Sequence, residues 1–223
     1  MKNNIVVIIL ILFIKISVAF GQSALLDRKQ NALSIDIGKT WGKQVSPFQF
    51  HLGYSFTGFI DLGLMYSSGE ISKANNYGYD LSQKAFGFNF SVIFLKPTIK
   101  VQPFGLALNV AYSDLKYERL DVQNPRDNKE FKANLTTPSI VFYSLSEIDN
   151  NRIVISFSLG YSVTTGGIED NALESNFISL GLGANVMHNF TERLSGVWGT
   201  AVGLANESLS AGISIGLLYK TKI

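Results

Sequence analysis

From Phe48 onward a large apolar residue stands at every second position: Phe48, Phe50, Leu52, Tyr54 and Phe56. Between them lie Gln49, His51, Gly53, Ser55 and Thr57, all small or polar. Successive side chains of a strand point to opposite faces, so such a segment has one greasy face and one small, uncharged face. A soluble sheet would carry Lys, Glu, Asp and Arg on its second face, whereas here the charges gather mainly between the segments. Strands of about ten residues with an apolar exterior and a small or polar interior are the signature of a transmembrane β-barrel.

The alternation recurs to the C-terminus in ten segments, roughly 32–42, 47–57, 59–69, 84–96, 100–118, 132–147, 152–165, 175–187, 193–204 and 208–221. The pattern predicts an all-β, antiparallel, up-and-down transmembrane barrel of about ten strands, or eight if two segments form a hairpin tip or lie outside the membrane. The weakest segment is 132–147, where both faces carry apolar groups and Pro138 predicts a bulge or a late start. Short links at Thr57–Gly58, Lys96–Ile99, Ile148–Asn151 and Asn189–Glu192 alternate with longer ones at 70–83, 115–131 and 166–174. Bacterial barrels have short periplasmic turns and longer external loops, which puts both ends of the mature chain in the periplasm.

The N-terminus explains how the chain reaches a membrane. Lys2 supplies a positive start, Ile5 to Ile14 an uncharged apolar run, and Ala19 and Gly21 the small residues of a cleavage site before Gln22. The run ends at Lys15, short of the roughly 20 residues a spanning helix needs. Residues 1–21 therefore read as a signal peptide and 22–223 as the barrel, placed in the bacterial outer membrane after cleavage. The composition is 46% hydrophobic but only 16% charged, and the formal charge of +2 falls to zero without Lys2 and Lys15. That balance gives no electrostatic case for nucleic acid. With no cysteine in the chain, disulfides and thiol metal sites are excluded.

Aromatic residues sort to segment ends, as interfacial belts require. Tyr54, Phe56, Phe59, Phe94, Phe104 and Tyr219 fall near the expected periplasmic edge, and Trp41, Phe48, Tyr66, Phe86, Tyr112 and Tyr161 near the outer one. The inward register is rich in glycine, serine and asparagine, among them Gly53, Gly63, Gly105, Ser91 and Ser156. Such a lining either keeps a lumen clear for a solute or relieves crowding where a narrow barrel curves. The lumen-facing candidates are Asp36, His51, Asp61, Asn89, Asn109 and Asn185, with Lys39 and Lys220 as further inward charges nearer the strand ends.

Chemistry beyond this is sparse. Hydrolytic sites need a base, usually His, beside a nucleophile or paired carboxylates. Only two histidines exist: His51 on an inward face and His188 at an expected turn. Ser55 lies about 13 Å along the strand from His51, so a neighbouring strand would have to complete any site. No catalytic residue, metal site or cofactor is expected. The charged loop from Asp114 to Lys132 offers Tyr117, Arg119, Arg126 and Lys129 as a recognition surface, or as a solvated loop against lipopolysaccharide headgroups.

At its end the run Ser210-Ala211-Gly212-Ile213-Ser214-Ile215-Gly216-Leu217 resembles the polar-x-Gly-x-x-apolar-x-apolar signal of small bacterial outer-membrane β-barrel proteins, the OmpA-barrel/OmpW-like group. Members usually finish on an aromatic residue, whereas this chain runs past Tyr219 to Ile223. The resemblance implies outer-membrane lipid and lipopolysaccharide as surroundings and the barrel assembly machinery as a partner during biogenesis. The expected role is non-enzymatic: a narrow channel for small solutes, or a structural or surface-interaction protein. The alternatives are the barrel of a secretion or assembly complex and a soluble secreted β-barrel ligand binder.

Overall fold

The computed structural model describes residues 22–42, 46–71, 79–98, 102, 104–121, 129–168, 171–205 and 208–221. Among these residues one helical turn, α1 (Gln22–Leu25), precedes ten strands: β1 (Asn31–Gly42), β2 (Phe48–Phe56), β3 (Ile60–Ile71), β4 (Tyr79–Leu95), β5 (Phe104–Asp121), β6 (Lys129–Ile148), β7 (Asn151–Ile168), β8 (Asn171–Asn189), β9 (Leu194–Ala205) and β10 (Ser208–Thr221). Each strand pairs antiparallel with the next, and β1 pairs with β10 to close the barrel. The strand count is ten rather than eight. Closure leaves no sheet edge unpaired, which a wall in lipid requires.

Strands β4 to β8 run on well past the apolar band at the end away from the termini. The connections expected at 70–83, 115–131 and 166–174 shrink to 72–78, 122–128 and 169–170, which lie outside the described residues. The charged stretch from Asp114 to Lys132 is mostly ladder, with Tyr117 opposite Phe131 and Arg119 opposite Lys129. Its loop-like composition hides a strand because, beyond the lipid, neither face has to be apolar.

Side chains alternate as the pattern predicts. Phe86, Phe88, Phe90 and Phe94 of β4 are exposed on the outer wall, while Asn89, Ser91 and Ile93 between them are buried inside. No described helix is long and apolar enough to cross a membrane. Pro138 neither shortens β6 nor shifts its register. Strand β6 starts at Lys129, and the pairs Thr136–Val163 and Ser139–Gly160 keep the same register on either side of the proline. A hydroxyl bond between Thr137 and Ser162 (2.9 Å) spans that gap. The register shift in this region belongs to β4, between Ile93 and Leu95.

Two expectations are corrected. Lys39 shares the outward face of β1 with Ile37 and Trp41, because inward positions are even-numbered there. It reaches along the wall, its ammonium 3.9 Å from the Phe48 ring centre and bonded to the Ser46 carbonyl (2.8 Å). Phe59 joins no belt; it packs half-buried against the interior core.

That core sits at the end carrying both termini. Ala24, Leu25 and Leu26 are buried among Ile93, Val141, Tyr143, Leu145, Met187 and Leu218, which the strands turn inward. The doubly apolar stretch of β6 thereby finds its reason: Val141, Tyr143 and Leu145 cover the α1 segment. The tight turn Thr57–Gly58 has positive φ at both residues (53° and 67°), the geometry of a type I′ hairpin turn. A side chain at Gly58 would also strike the Asp27 carbonyl as the N-terminal segment passes.

Candidate functional site

The N-terminal segment enters the barrel mouth and is bonded to the wall on several sides. Asp61 of β3 accepts the Ser23 backbone N–H (3.2 Å) and the hydroxyls of Ser23 and Ser55 (2.5 Å each). Lys96, in the link after β4, donates to the carbonyls of Ser23 (2.8 Å) and Gly58 (2.6 Å). From β7, Arg152 donates to the Leu25 carbonyl (2.8 Å) and pairs with Asp27 (2.7 Å) and Glu147 (2.7 Å). The exit is stitched too: Lys29 N–H donates to Thr57 O (3.0 Å) and Thr57 N–H to Asn31 Oδ1 (2.7 Å). Charged groups bind backbone more strongly than neutral ones, so a four-residue helix that would not hold alone is fixed in place. Burial pushes the Lys96 amine down to about 8, against the opposing pull of the Asp61 and Asp27 carboxylates.

A second polar chain starts from the first residue of this segment. Gln22 Nε2 reaches Asp36 Oδ2 (3.5 Å), and the same oxygen meets His51 Nδ1 (2.9 Å). His51 Nε2 meets Asn89 Oδ1 (3.2 Å). This last bond joins β2 to β4 across β3, and Gly63 is the gap that permits it. A Cβ there would land on both Asn89 Oδ1 and His51 Nε2. Both ring nitrogens of His51 are thus engaged with amide and carboxylate oxygens, and Ser55 is bonded to Asp61 instead.

The remaining lumen-facing candidates separate. Asn109 accepts from Ser91 (2.8 Å) and donates to Ser139 (3.4 Å), tying β4, β5 and β6 together. Asn185 lines a void of about 20 Å³ with Gln22, Ser34, Asp36 and Ser214. Lys220 points inward and donates to Asn189 Oδ1 (2.6 Å), while His188 bonds Asn151 Oδ1 (2.8 Å) at the terminal end of β8. Asp36, His51 and Asn89 therefore form one network, Asp61 holds the N-terminal segment, Asn109 ties β4 to β6, and Asn185 lines the void beside Gln22 and Asp36. Arg126 lies outside the described residues, and Tyr117, Arg119 and Lys129 are described only as backbone. Ser23, Lys96, Arg152 and Tyr143 went unread in the sequence. The available signal was the cluster of large inward apolar residues at the terminal end of β6, β7, β8 and β10, among them Val141, Leu145, Met187 and Leu218, which needs something apolar to cover it.

No protein-family model matches the chain, and no curated protein does. Solved structures do. The translocator domain of the autotransporter NalP from Neisseria meningitidis superposes with a TM-score of 0.59, over 87% of this chain and 90% of that one, at 8% identity. The fold is that of the bacterial outer-membrane β-barrels. The transport unit of the autotransporter AIDA-I from Escherichia coli gives 0.52 over 98% and 97%, at 11% identity. At such identities an outer-membrane barrel shares architecture with these neighbours and nothing finer.

Proposed function

We propose that the protein is a plugged, non-enzymatic outer-membrane barrel with a structural or surface-interaction role, rather than an open channel for solutes. One observation carries this reading: the segment Gln22–Leu26 lies inside the terminal end of the barrel, with Ser23 to Leu26 buried, and is held from β3, β7 and the link after β4. Beside it the void of about 20 Å³ has room for roughly one water. The glycines of the lining act as clearance for crossing side chains, as Gly63 does, rather than as a passage. Cleavage before Gln22 would leave that residue beside Asp36 as the start of the plug. The run Ser210–Leu217 would be read by the assembly machinery, and the protruding end of the β4–β8 wall would face any surface partner.

Planar-bilayer recording tests this. The intact barrel is expected to stay electrically silent at moderate voltage, and a variant lacking residues 22–26 to show discrete conductance steps. Steady conductance by the intact protein would overturn the proposal in favour of a narrow channel.

A further inference from the structure

Closure pairs every strand across the apolar band, but beyond the band the wall is uneven. Strand β8 meets β7 along its length, from Asn171 opposite Ile168 to His188 opposite Asn151. On its other side it meets β9 only from Ser179, opposite Ala205, to Asn189, opposite Ser195. Residues 171–177 thus have a neighbour on one side alone: among the described residues no strand or backbone bond reaches the other. The far edge of the protruding wall differs, since β3 follows β4 up to Leu81 and leaves only Tyr79 and Asp80 beyond it.

The register says which backbone groups lie open. Asn189 N–H donates to Asn150 O (3.3 Å), so these two residues form a hydrogen-bonded pair. Such pairs recur at every second residue of an antiparallel ladder, and β7 and β8 run together without a register shift. Odd-numbered residues of β8 therefore bond β7, and even-numbered ones turn N–H and C=O the other way. Inside the band that side is β9; at Ala172, Glu174 and Asn176 it is an open row. At about 3.4 Å per residue the row is about 14 Å long. It opens where the lipid ends: the outward apolar run of β8 from Ile178 to Val186 is nine residues, close to the roughly 9–11 of a tilted spanning strand. Natural edges are blunted with lysine, proline or a bulge. Residues 171–177 hold no lysine, proline or bulge, and Glu174 is their one charge.

We infer that the open edge of β8 from Ala172 to Asn176 is a docking site for an extended segment of a partner protein, which adds a strand to the protruding wall. The site deepens the surface-interaction reading and rests on it; the plug plays no part. Only a polypeptide in extended conformation repeats donor and acceptor at the two-residue spacing that this row presents. A second copy in the same membrane does not fit. Barrel strands tilt by about 35–45°, so two β8 edges meet only if one barrel is inverted or steeply inclined. Opposite charges on facing strands stabilise a pair, which favours a partner with a basic residue opposite Glu174.

The full-chain barrel is folded into phosphatidylcholine vesicles, where a heat-dependent change in gel mobility establishes the barrel separately from binding. Hydrogen exchange is then read amide by amide, alone and with a synthetic peptide of alternating threonine and valine around one central lysine. The isolated barrel should exchange quickly at Glu174 and Asn176 and slowly at Leu173 and Ser175. The peptide should slow the first two, and its fully N-methylated copy, with the same side chains and no N–H, should not. Glu174→Pro removes an open N–H without touching the β7 ladder and should weaken peptide binding at least about ten-fold, whereas Glu174→Gln should cost only about two-fold. Slow exchange at Glu174 and Asn176 in the isolated barrel would mean that the chain itself or a second copy covers the edge, and would overturn the site. So would a folded barrel that the peptide leaves unprotected, equal binding of the N-methylated copy, or unchanged affinity in folded E174P. Should E174P fail to fold, the N-methylated copy alone decides. A chain with no heat-dependent shift would instead overturn the barrel reading, and the site with it.

Discussion

Asp61 is the residue on which the interior turns. It is buried, and its two oxygens accept three hydrogen bonds, two of them from Ser23 of the plug. Asp61→Ala leaves the buried Ser23 N–H and two hydroxyls without their acceptor, and hydrogen bonds to a charged group contribute about 1.5–3 kcal/mol each. The plug is therefore expected to loosen by about 3 kcal/mol, read as faster proteolysis of the N-terminal segment with the barrel's heat-dependent mobility intact. Lys96 adds a pH dependence. Its amine titrates near 8 in the fold against 10.5 free, so between those values the unfolded chain binds more protons. Stability from this group then rises with pH, because the penalty of the buried charge is fully present below about 8 and relieved by about 10.5. Measured against Lys96→Met, the wild-type unfolding midpoint should climb across that window; a flat difference would show that Lys96 keeps its charge.

At the scale of elements, α1 and the walls that hold it form one packing unit, since Leu25 and Leu26 supply the apolar mass that Val141, Tyr143, Leu145, Met187 and Leu218 enclose. Leu25→Asp with Leu26→Asp puts two carboxylates into that cluster without partners, at a cost of several kcal/mol. The segment is expected to leave the lumen while the ten-strand ladder persists. Proteolysis should then remove residues before β1 and leave a barrel-sized fragment, whereas a still-protected N-terminus would refute the plug's dependence on these leucines. Strand β6 makes a complementary point. Pro138 faces outward with its flanking pairs in one unbroken register, so a proline in a closed wall need not end a strand.

For the whole molecule, the outer surface determines the solvent. Leu108 on β5 lies in the middle of the outward band, exposed, between Leu106 and Val110. Leu108→Arg would place a guanidinium against lipid at a cost of about 2–4 kcal/mol near the midplane. Its urea midpoint in lipid vesicles should fall accordingly, while Lys132→Arg on the same wall beyond the band should barely move it. Equal sensitivity at both positions would argue against a membrane around this wall.

Strand number, hand of alternation and the lipid-facing wall were legible in the chain because a period of two is a local property that survives without knowledge of neighbours. Phe86, Phe88 and Phe90 announce one face whatever lies beside them. The inward placement of Asp36, His51 and Asp61 follows from the same local reading. Lys39 follows the parity of β1 as well and faces outward with Ile37 and Trp41 despite its charge. What pairs with what was decided by the tertiary structure. Ser23 meets Asp61, Arg152 meets Leu25 and Lys84 meets Lys116 across gaps of 38, 127 and 32 positions. Such contacts are fixed by register and barrel closure, which bring distant segments within bonding distance, and no window of sequence contains both partners.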